Sequence, residues 1–160
     1  MSYIGAVAVI LAFLLLWREY SRFVDKRLLW CRTFLSAISD LYDKMRCFLE
    51  SPRAWAEGYS DANLSECGFL DKLSDGADIL DAYLSCRDRI CIPESCDKML
   101  KECFSRLGEG YIETELSIMD SALNDIKEEE KRISKDLPSR RKAVGAVLGA
   151  VATGIVILVI

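Results

Sequence analysis

The chain has 160 residues, which is enough for a single domain with its own core. Hydrophobic residues make up 51% and charged residues 29%, and the charges are confined to the middle: all 21 basic and 25 acidic side chains lie between Arg18 and Lys142. This distribution excludes a plain cytosolic enzyme and a freely secreted protein, and the charged fraction is too high for a polytopic membrane protein. The composition also argues against disorder, because the middle is rich in Leu, Ile, Phe and Trp.

The first apolar segment, residues 1–17, is predicted to be a transmembrane helix. As a helix it covers about 25 Å, against about 30 Å for the hydrocarbon core of a bilayer. Local thinning, or extension by Tyr20 and Phe23, would close this gap. A cleaved signal peptide is disfavoured, because no basic side chain precedes the run and no small-residue cleavage site follows it before Arg18. A buried core helix remains an alternative for so short a run.

The second apolar segment, residues 143–160, passes the length test for a transmembrane helix. It contains small residues four positions apart, in Gly145-x-x-x-Gly149 and Ala150-x-x-x-Gly154. We expect Gly145, Gly149 and Gly154 to let helices approach closely in lipid. The alternative is the ordinary abundance of Gly and Ala in membrane helices.

Basic residues border the charged middle at both ends and determine the expected topology. The positive-inside rule places residues 18–142 in the cytoplasm and both termini outside. The basic residues next to the second segment would also lie near anionic lipid headgroups. The bordering residues are Arg18, Arg22, Lys26, Arg27, Arg140, Arg141 and Lys142.

The middle is predicted to be helical throughout. Between Tyr20 and Leu49 apolar residues recur every three or four positions with no Gly or Pro, so one helix is expected to run from the membrane to about Leu49. Ser51-Pro52 predicts a short helix that ends by Gly58, with Ser51 as its N-cap. No segment alternates with period two for long enough to be a strand. Further helices are predicted at 62–73, with Ser60 or Asp61 as the cap, at 77–90 and at 94–107.

The last soluble helix is expected to start near Tyr111, after Gly108-Glu109-Gly110, and its apolar residues form a heptad seam that contains Glu130. Pro138 is expected to kink or restart this helix. Packed antiparallel to the first helix, it would form a stalk between the membrane and the shorter helices. The predicted fold class is therefore all-α, a small helical bundle flanked by an N-terminal and a C-terminal transmembrane helix. The domains are 1–17, 18–142 and 143–160.

Catalytic and metal chemistry find little support in the sequence. The chain contains no histidine. It therefore lacks the commonest general base, and it can form neither a Ser–His or Cys–His nucleophile pair nor the usual mixed zinc site. No Gly-rich phosphate loop follows a strand. We expect no enzyme activity, no metal and no cofactor.

The seven cysteines form no Cys-x-x-Cys motif, and their odd number cannot pair completely. The spacing of the last four matches no zinc or iron–sulfur site. We expect free thiols that pack as small apolar side chains in a reducing cytoplasm. The alternative is a thiol-based redox or metal protein. The cysteines are Cys31, Cys47, Cys67, Cys86, Cys91, Cys96 and Cys103.

The charge is unevenly distributed within the middle. Residues 28–126 carry a net charge of −9, whereas residues 18–27 and 127–142 are net positive. An acidic surface away from the membrane repels nucleic acid and suits a basic protein partner. The alternative is a solvated surface that keeps the domain off the membrane.

Several short motifs accompany this layout of segments: Ser51-Pro52, Leu107-Gly108, Ala122-Leu123, Glu130 and Lys142-x-x-Gly145. With these motifs, the layout of the whole chain resembles the stage III sporulation protein AB family of endospore-forming bacteria. The chain departs from the family after the Leu-Gly turn, where Tyr111 and Glu115 stand in place of the usual Asp and Gln. Met45 also stands where the family pattern leads us to expect a glutamate.

The resemblance implies a non-enzymatic membrane component of a sporulation channel complex between mother cell and forespore. Its soluble domain is similar to the F-type helical domain of type II secretion and type IV pilus platform proteins, which sit above a cytoplasmic hexameric secretion ATPase. The resemblance thus implies a domain in the mother-cell cytoplasm that docks this ATPase, beside other membrane proteins of the complex. Nucleic acid is not an expected partner, and homo-oligomerisation is left open.

The docking surface is expected at the acidic turn and first half of the last helix, on Glu109, Glu113, Glu115 and Asp120. An ordinary solvated helix face is the alternative for these residues. The alternative for the whole chain is a platform subunit of a secretion or pilus system outside sporulation. A holin-like, membrane-perturbing protein is disfavoured by the large charged middle.

Overall fold

The computed structural model describes residues 2–108 and 111–159, and within them the chain is helical with no strand. The all-α prediction is confirmed. Besides the helices there is one 3-10 turn, at Arg87–Arg89. The helices are α1 (Ser2–Phe48), α2 (Pro52–Gly58), α3 (Ala62–Cys67), α4 (Phe69–Ser74), α5 (Ile79–Cys86), α6 (Glu94–Phe104) and α7 (Ile112–Val159).

The chain forms two compact units. The terminal unit comprises Met1–Lys26 and Arg132–Ile160, and the central unit comprises Arg27–Lys131. These units are defined by contacts between residues, whereas the predicted domain boundaries at 17/18 and 142/143 lie where the composition of the sequence changes. The predicted boundaries remain a prediction.

The first two helices begin and end as the sequence predicts. α1 ends at Phe48, where Leu49 adopts a positive φ of 55°. Ser51 caps α2 by accepting a hydrogen bond from the backbone N–H of Ala54 at 3.3 Å, and Pro52 occupies the first helical position.

The predicted helix at 62–73 is wrong as a single helix. Gly68 has φ +83°, a conformation that L side chains rarely adopt, and it separates α3 from α4. Asp61, not Ser60, is the cap of α3, and it accepts from the Leu64 N–H at 3.0 Å. The next two helices are shorter than predicted, because Asp78 caps α5 only before Ile79 and α6 ends at Phe104.

Of the two outcomes predicted for the last helix at Pro138, a kink or a restart, the restart does not occur. α7 runs through Pro138 without interruption, from Ile112 to Val159. A proline inside a helix removes one backbone hydrogen bond. The remaining bonds of this long helix maintain its continuity.

The core of the central unit is built around an aromatic cluster from four helices. Phe34 of α1 packs edge-on against Phe69 of α4 at 5.7 Å and against Tyr83 of α5 at 5.4 Å. Tyr83 in turn contacts Phe104 of α6 at 5.4 Å. Burial of each such ring stabilises the fold by about 1.5–3 kcal/mol. The α7 seam reaches the same core through Met119 and other buried residues.

In the terminal unit, α1 and α7 contact each other. A Cβ atom placed on Gly145 would lie 3.3 Å from the Trp17 ring, and the Arg141 guanidinium binds the Asp25 carboxylate. Most of the apolar side chains here are exposed. The exposed ones include Val7, Ile10, Leu11, Leu14, Leu15, Leu16, Val147, Val151, Ile155 and Ile157.

Among the described residues, none of the helices combines the length and the apolar character needed to cross a bilayer. Ile160, the last residue of the predicted 143–160 span, lies outside the described residues. The two flanking transmembrane helices therefore remain predictions.

Candidate functional site

An open groove of about 810 Å³ lies between α1 and α7 in the central unit. Its walls are mostly polar, with partly buried apolar side chains such as Leu35 and Leu123 between them. Four acidic and two basic side chains line it, which gives the lining a net charge of −2. We call it the α1–α7 groove, and its charged residues are Arg32, Asp40, Asp43, Asp120, Lys127 and Glu130.

Two of the acids in the groove are engaged by neighbours in the same chain. Arg32 Nε donates to Glu130 Oε1 at 2.8 Å, and the Glu130 side chain is only 15% exposed. Trp55 Nε1 donates to Asp40 Oδ2 at 2.7 Å. The acid in the heptad seam of α7 is thus paired within the chain, with Arg32 of α1.

The other two acids face solvent from opposite walls. Asp43 on α1 and Asp120 on α7 are both exposed, and neither forms an ion pair with any side chain in the described part of the chain. Since a partner's Lys or Arg could bind either carboxylate without breaking an ion pair within the chain, these two carboxylates are the acceptors that the groove offers.

The predicted docking residues do not all come together. Asp120 lies in the groove, and Glu113 is exposed seven residues earlier, on the same face of α7 and about 10 Å away along the helix. Glu115 points elsewhere: its Oε1 accepts from the Gly108 backbone N–H at 2.8 Å and so ties the start of α7 to the preceding turn. Glu109 lies outside the described residues.

Sequence reasoning missed the α1 wall of the groove. Ser36, Ser39, Asp40 and Asp43 recur at steps of three, one and three beside the apolar stripe, which marks a polar face of a helix. That signal was present in the sequence. Which other helix the face adjoins is determined by packing between residues about eighty positions apart, and one sequence does not reveal it.

A second polar cluster holds α5 and α6 together. Asp97 is buried and accepts from the Tyr83 hydroxyl at 2.7 Å, from Arg87 Nη2 at 2.9 Å and from Lys101 Nζ at 2.9 Å. Burial raises the pKa of Asp97, but these hydrogen bonds outweigh burial and hold the pKa at about 2. All three donors are already hydrogen-bonded to the Asp97 carboxylate, so we interpret this cluster as a structural contact between helices and not as a binding site.

The cysteines are free thiols, and five of them are buried. Cys47 is exposed and Cys91 is partly exposed, which departs from the expectation that the thiols pack as apolar side chains. Cys31 Sγ donates to Cys96 Sγ at 3.1 Å, whereas Cys67 Sγ donates to the Leu64 carbonyl at 3.3 Å and Cys86 Sγ to the Tyr83 carbonyl at 3.0 Å. Burial raises the pKa of Cys103 to about 12. Within the described residues, no group of three or more Cys, Asp or Glu side chains could hold a metal ion.

The predicted membrane-packing glycines differ in their surroundings within the terminal unit. Gly145 and Gly149 line an apolar cleft of about 410 Å³ between α1 and α7, with the Trp17 ring directly opposite Gly145. A Cβ atom on Gly149 or Gly154 would meet nothing within 4 Å. Gly145 is therefore the glycine that allows a close approach.

Several of the predicted topology-determining basic residues form ion pairs at the surface. Within the terminal unit, Arg22 pairs with Glu19 and Arg140 with Asp136, both one helical turn apart. Exposed pairs of this kind contribute about 0–1 kcal/mol. These pairs therefore hold the basic side chains only weakly. The exposed members of the set are Arg18, Arg22, Lys26, Arg140 and Lys142, while Arg27 and Arg141 are partly buried.

Comparisons of the chain with protein-family models, with curated proteins and with solved structures give no significant match.

Proposed function

We propose that this chain is a non-enzymatic membrane component of a sporulation channel complex and that its central unit docks a cytoplasmic hexameric secretion-type ATPase. The resemblance of segment order and of the short motifs to the stage III sporulation protein AB family supports the class of complex. The observation that supports docking is the α1–α7 groove, where Asp43 and Asp120 offer hydrated, unpaired carboxylates on facing walls.

Membrane anchoring is supported by the surface of the terminal unit. Large apolar side chains there are more than half exposed, such as Val7 at 56%, Leu15 at 60% and Val147 at 62%. Contiguous apolar surface of this kind is unfavourable in water and is typical of contacts with lipid or with other apolar helices. We infer that both ends insert in the mother-cell membrane facing the forespore. The basic borders would then keep the central unit in the cytoplasm and both termini outside.

The chemistry of the groove defines the partner surface that would fit it. Residues 28–126 carry a net charge of −9, so the central unit attracts a basic surface and repels an acidic one. Lys or Arg side chains of the ATPase would reach Asp43 and Asp120, and Glu113 would extend the contact along α7. Complementary charges of this kind mainly increase the association rate and the specificity for the partner, and they have a smaller effect on affinity.

Charge reversal in the groove tests this docking mode. In the double variant Asp43→Lys and Asp120→Lys, two attractions become repulsions, and we expect binding of the purified ATPase of the same system to weaken by about tenfold or more. Glu102→Lys is the matched control, because Glu102 is also an exposed acid in a helix of the central unit but does not line the groove.

Binding would be measured with the full chain in mild detergent or nanodiscs at low and high salt. The proposal expects a loss for the groove variant that shrinks at high salt, because screening weakens exposed charges. Equal affinity of the groove variant and the Glu102→Lys control would refute the groove as the docking site. Glu113→Lys should show a smaller loss. Glu115→Lys is less informative, because it also removes the hydrogen bond to Gly108.

A further inference from the structure

Two of the five buried cysteines meet through their sulfur atoms. Cys31 and Cys96 are both fully buried with their sulfurs 3.1 Å apart, although 65 residues separate them in the chain. The thiols of Cys67 and Cys86 donate instead to backbone carbonyls of their own helices, those of Leu64 and Tyr83. Cys103 is also buried and has no sulfur partner in the described part of the chain.

We propose that Cys31 and Cys96 form a redox-active dithiol, which low-molecular-weight disulfides oxidise to an intrachain disulfide between α1 and α6. This inference does not depend on the proposed docking function. The two sulfurs need to move closer by only about 1 Å to reach the bonded distance of about 2.05 Å. Both residues lie inside helices, Cys31 within α1 and Cys96 in the first turn of α6.

The surroundings assign different roles to the two sulfurs. Cys31 donates the hydrogen bond, which lowers the pKa of Cys96 and raises that of Cys31. Glu129 raises both pKa values by repulsion, and Arg27 lowers both. Cys96 also lies in the first turn of α6, and helix N-termini favour thiolates. Cys96 is therefore the attacking thiolate, and Cys31 resolves the intermediate.

With oxidised glutathione the chemistry is thiol–disulfide exchange in two steps. The Cys96 thiolate attacks one sulfur of glutathione disulfide, a mixed disulfide forms and one glutathione thiolate leaves. Cys31 then loses its proton to solvent and attacks the Cys96 sulfur, so the intrachain bond forms and the second glutathione leaves. Two protein thiols are oxidised, and one glutathione disulfide is reduced to two thiols. Because both sulfurs are buried, the first step requires local opening and is expected to be slow.

The test uses the full chain in mild detergent with oxidised glutathione as the oxidant. Remaining thiols are alkylated after denaturation, and the products are digested without reduction and analysed by mass spectrometry. We expect a peptide that joins Cys31 to Cys96 and an apparent Tm that rises by about 10 °C, because the bond closes a long loop. The unpaired Cys103 should remain fully alkylatable, while exposed Cys47 should be glutathionylated and so show that the oxidant is active.

The variants separate the assigned roles. Cys31→Ser should trap a mixed glutathione disulfide on Cys96, whereas Cys96→Ser should leave Cys31 reduced. Cys103→Ser, which removes an equally buried thiol, should leave the cross-link unchanged. Full alkylation of Cys31 and Cys96 in the wild-type chain while Cys47 is glutathionylated would overturn the proposal. Linkage of either thiol mainly to Cys47, Cys91 or another cysteine would overturn it as well.

Discussion

The Asp97 cluster gives the most quantitative prediction for the central unit. Asp97 is 6% exposed, and it joins α5, the following 3-10 turn and α6 through Tyr83, Arg87 and Lys101. In Asp97→Ala, the Tyr83 hydroxyl stays buried without its acceptor. Arg87 and Lys101 lose their shared carboxylate. We expect this substitution to destabilise the fold more than the loss of any surface ion pair.

The magnitude follows from the pKa and from the donor left behind. The pKa of Asp97 falls from 3.8 to about 2 on folding. Each pKa unit corresponds to about 1.4 kcal/mol, so the charged carboxylate contributes about 2.5 kcal/mol at neutral pH. A buried donor without a partner costs about 1–3 kcal/mol more. Arg87 and Lys101 can be hydrated after the change, because their side chains are 49% and 34% exposed. The two contributions add up to about 3.5–5.5 kcal/mol, and because the two cations can be hydrated we expect a loss in the lower part of this range, about 4 kcal/mol.

The same pKa predicts a pH dependence with a definite sign. The folded pKa of about 2 lies below the unfolded value of 3.8, so the contribution of Asp97 is fully present above pH 3.8 and is lost as the pH falls through 2. The difference in the free energy of unfolding between wild type and Asp97→Ala should therefore shrink when the pH is lowered from 4 to 2.

The assay is urea unfolding of the full chain in mild detergent, followed by fluorescence of the tryptophans. Trp55 is only 2% exposed and reports directly on the central unit. Glu102→Ala is the matched control, since it removes an exposed carboxylate from the same helix and should change stability by less than about 0.5 kcal/mol. If Asp97→Ala were no less stable than Glu102→Ala, the structural assignment of this cluster would be refuted.

Two further predictions concern the terminal unit and the topology. Gly145→Leu should destabilise the contact between α1 and α7 by about 1–3 kcal/mol, because the new side chain would collide with Trp17, which lies 3.3 Å from the Cβ position. Thermal unfolding in detergent checks this, and an equal effect of Gly154→Leu, where the Cβ position is open, would contradict it. Exposed Cys47 should react with a membrane-impermeant maleimide only after cells are permeabilised, with Cys47→Ser as the control. Labelling of intact cells would contradict a cytoplasmic central unit.

The course of the helices was largely predictable from local chemistry. The apolar period of α1, its end next to Leu49 and the Ser51-Pro52 cap all appear in the structure as the sequence indicates. The failures were local as well. Gly68 sits in a run with helical apolar spacing, so its left-handed conformation was missed. The helix also does not restart at Pro138, since a helix of 48 residues tolerates one missing hydrogen bond.

The sites were less predictable, because each depends on residues far apart in the chain. Arg32 and Glu130 meet across 98 residues, and Cys31 and Cys96 meet across 65. The periodicity showed that Glu130 lies in a seam but not which helix faces it. In a sequence without His, the pattern of cysteines predicts only thiols that pack as small apolar side chains. The contact between Cys31 and Cys96 depends on the packing of α1 against α6.

The most direct test of the proposed function is to identify what binds the protein in its own cells. A tagged full chain would be solubilised gently from membranes of sporulating cells beside the Asp43→Lys, Asp120→Lys variant, and the co-purifying proteins identified by mass spectrometry. The account predicts that wild type recovers a secretion-type ATPase and other membrane proteins of the sporulation complex, and that the variant loses the ATPase alone. Recovery of pilus-assembly proteins instead, or of no partner with either form, would contradict it.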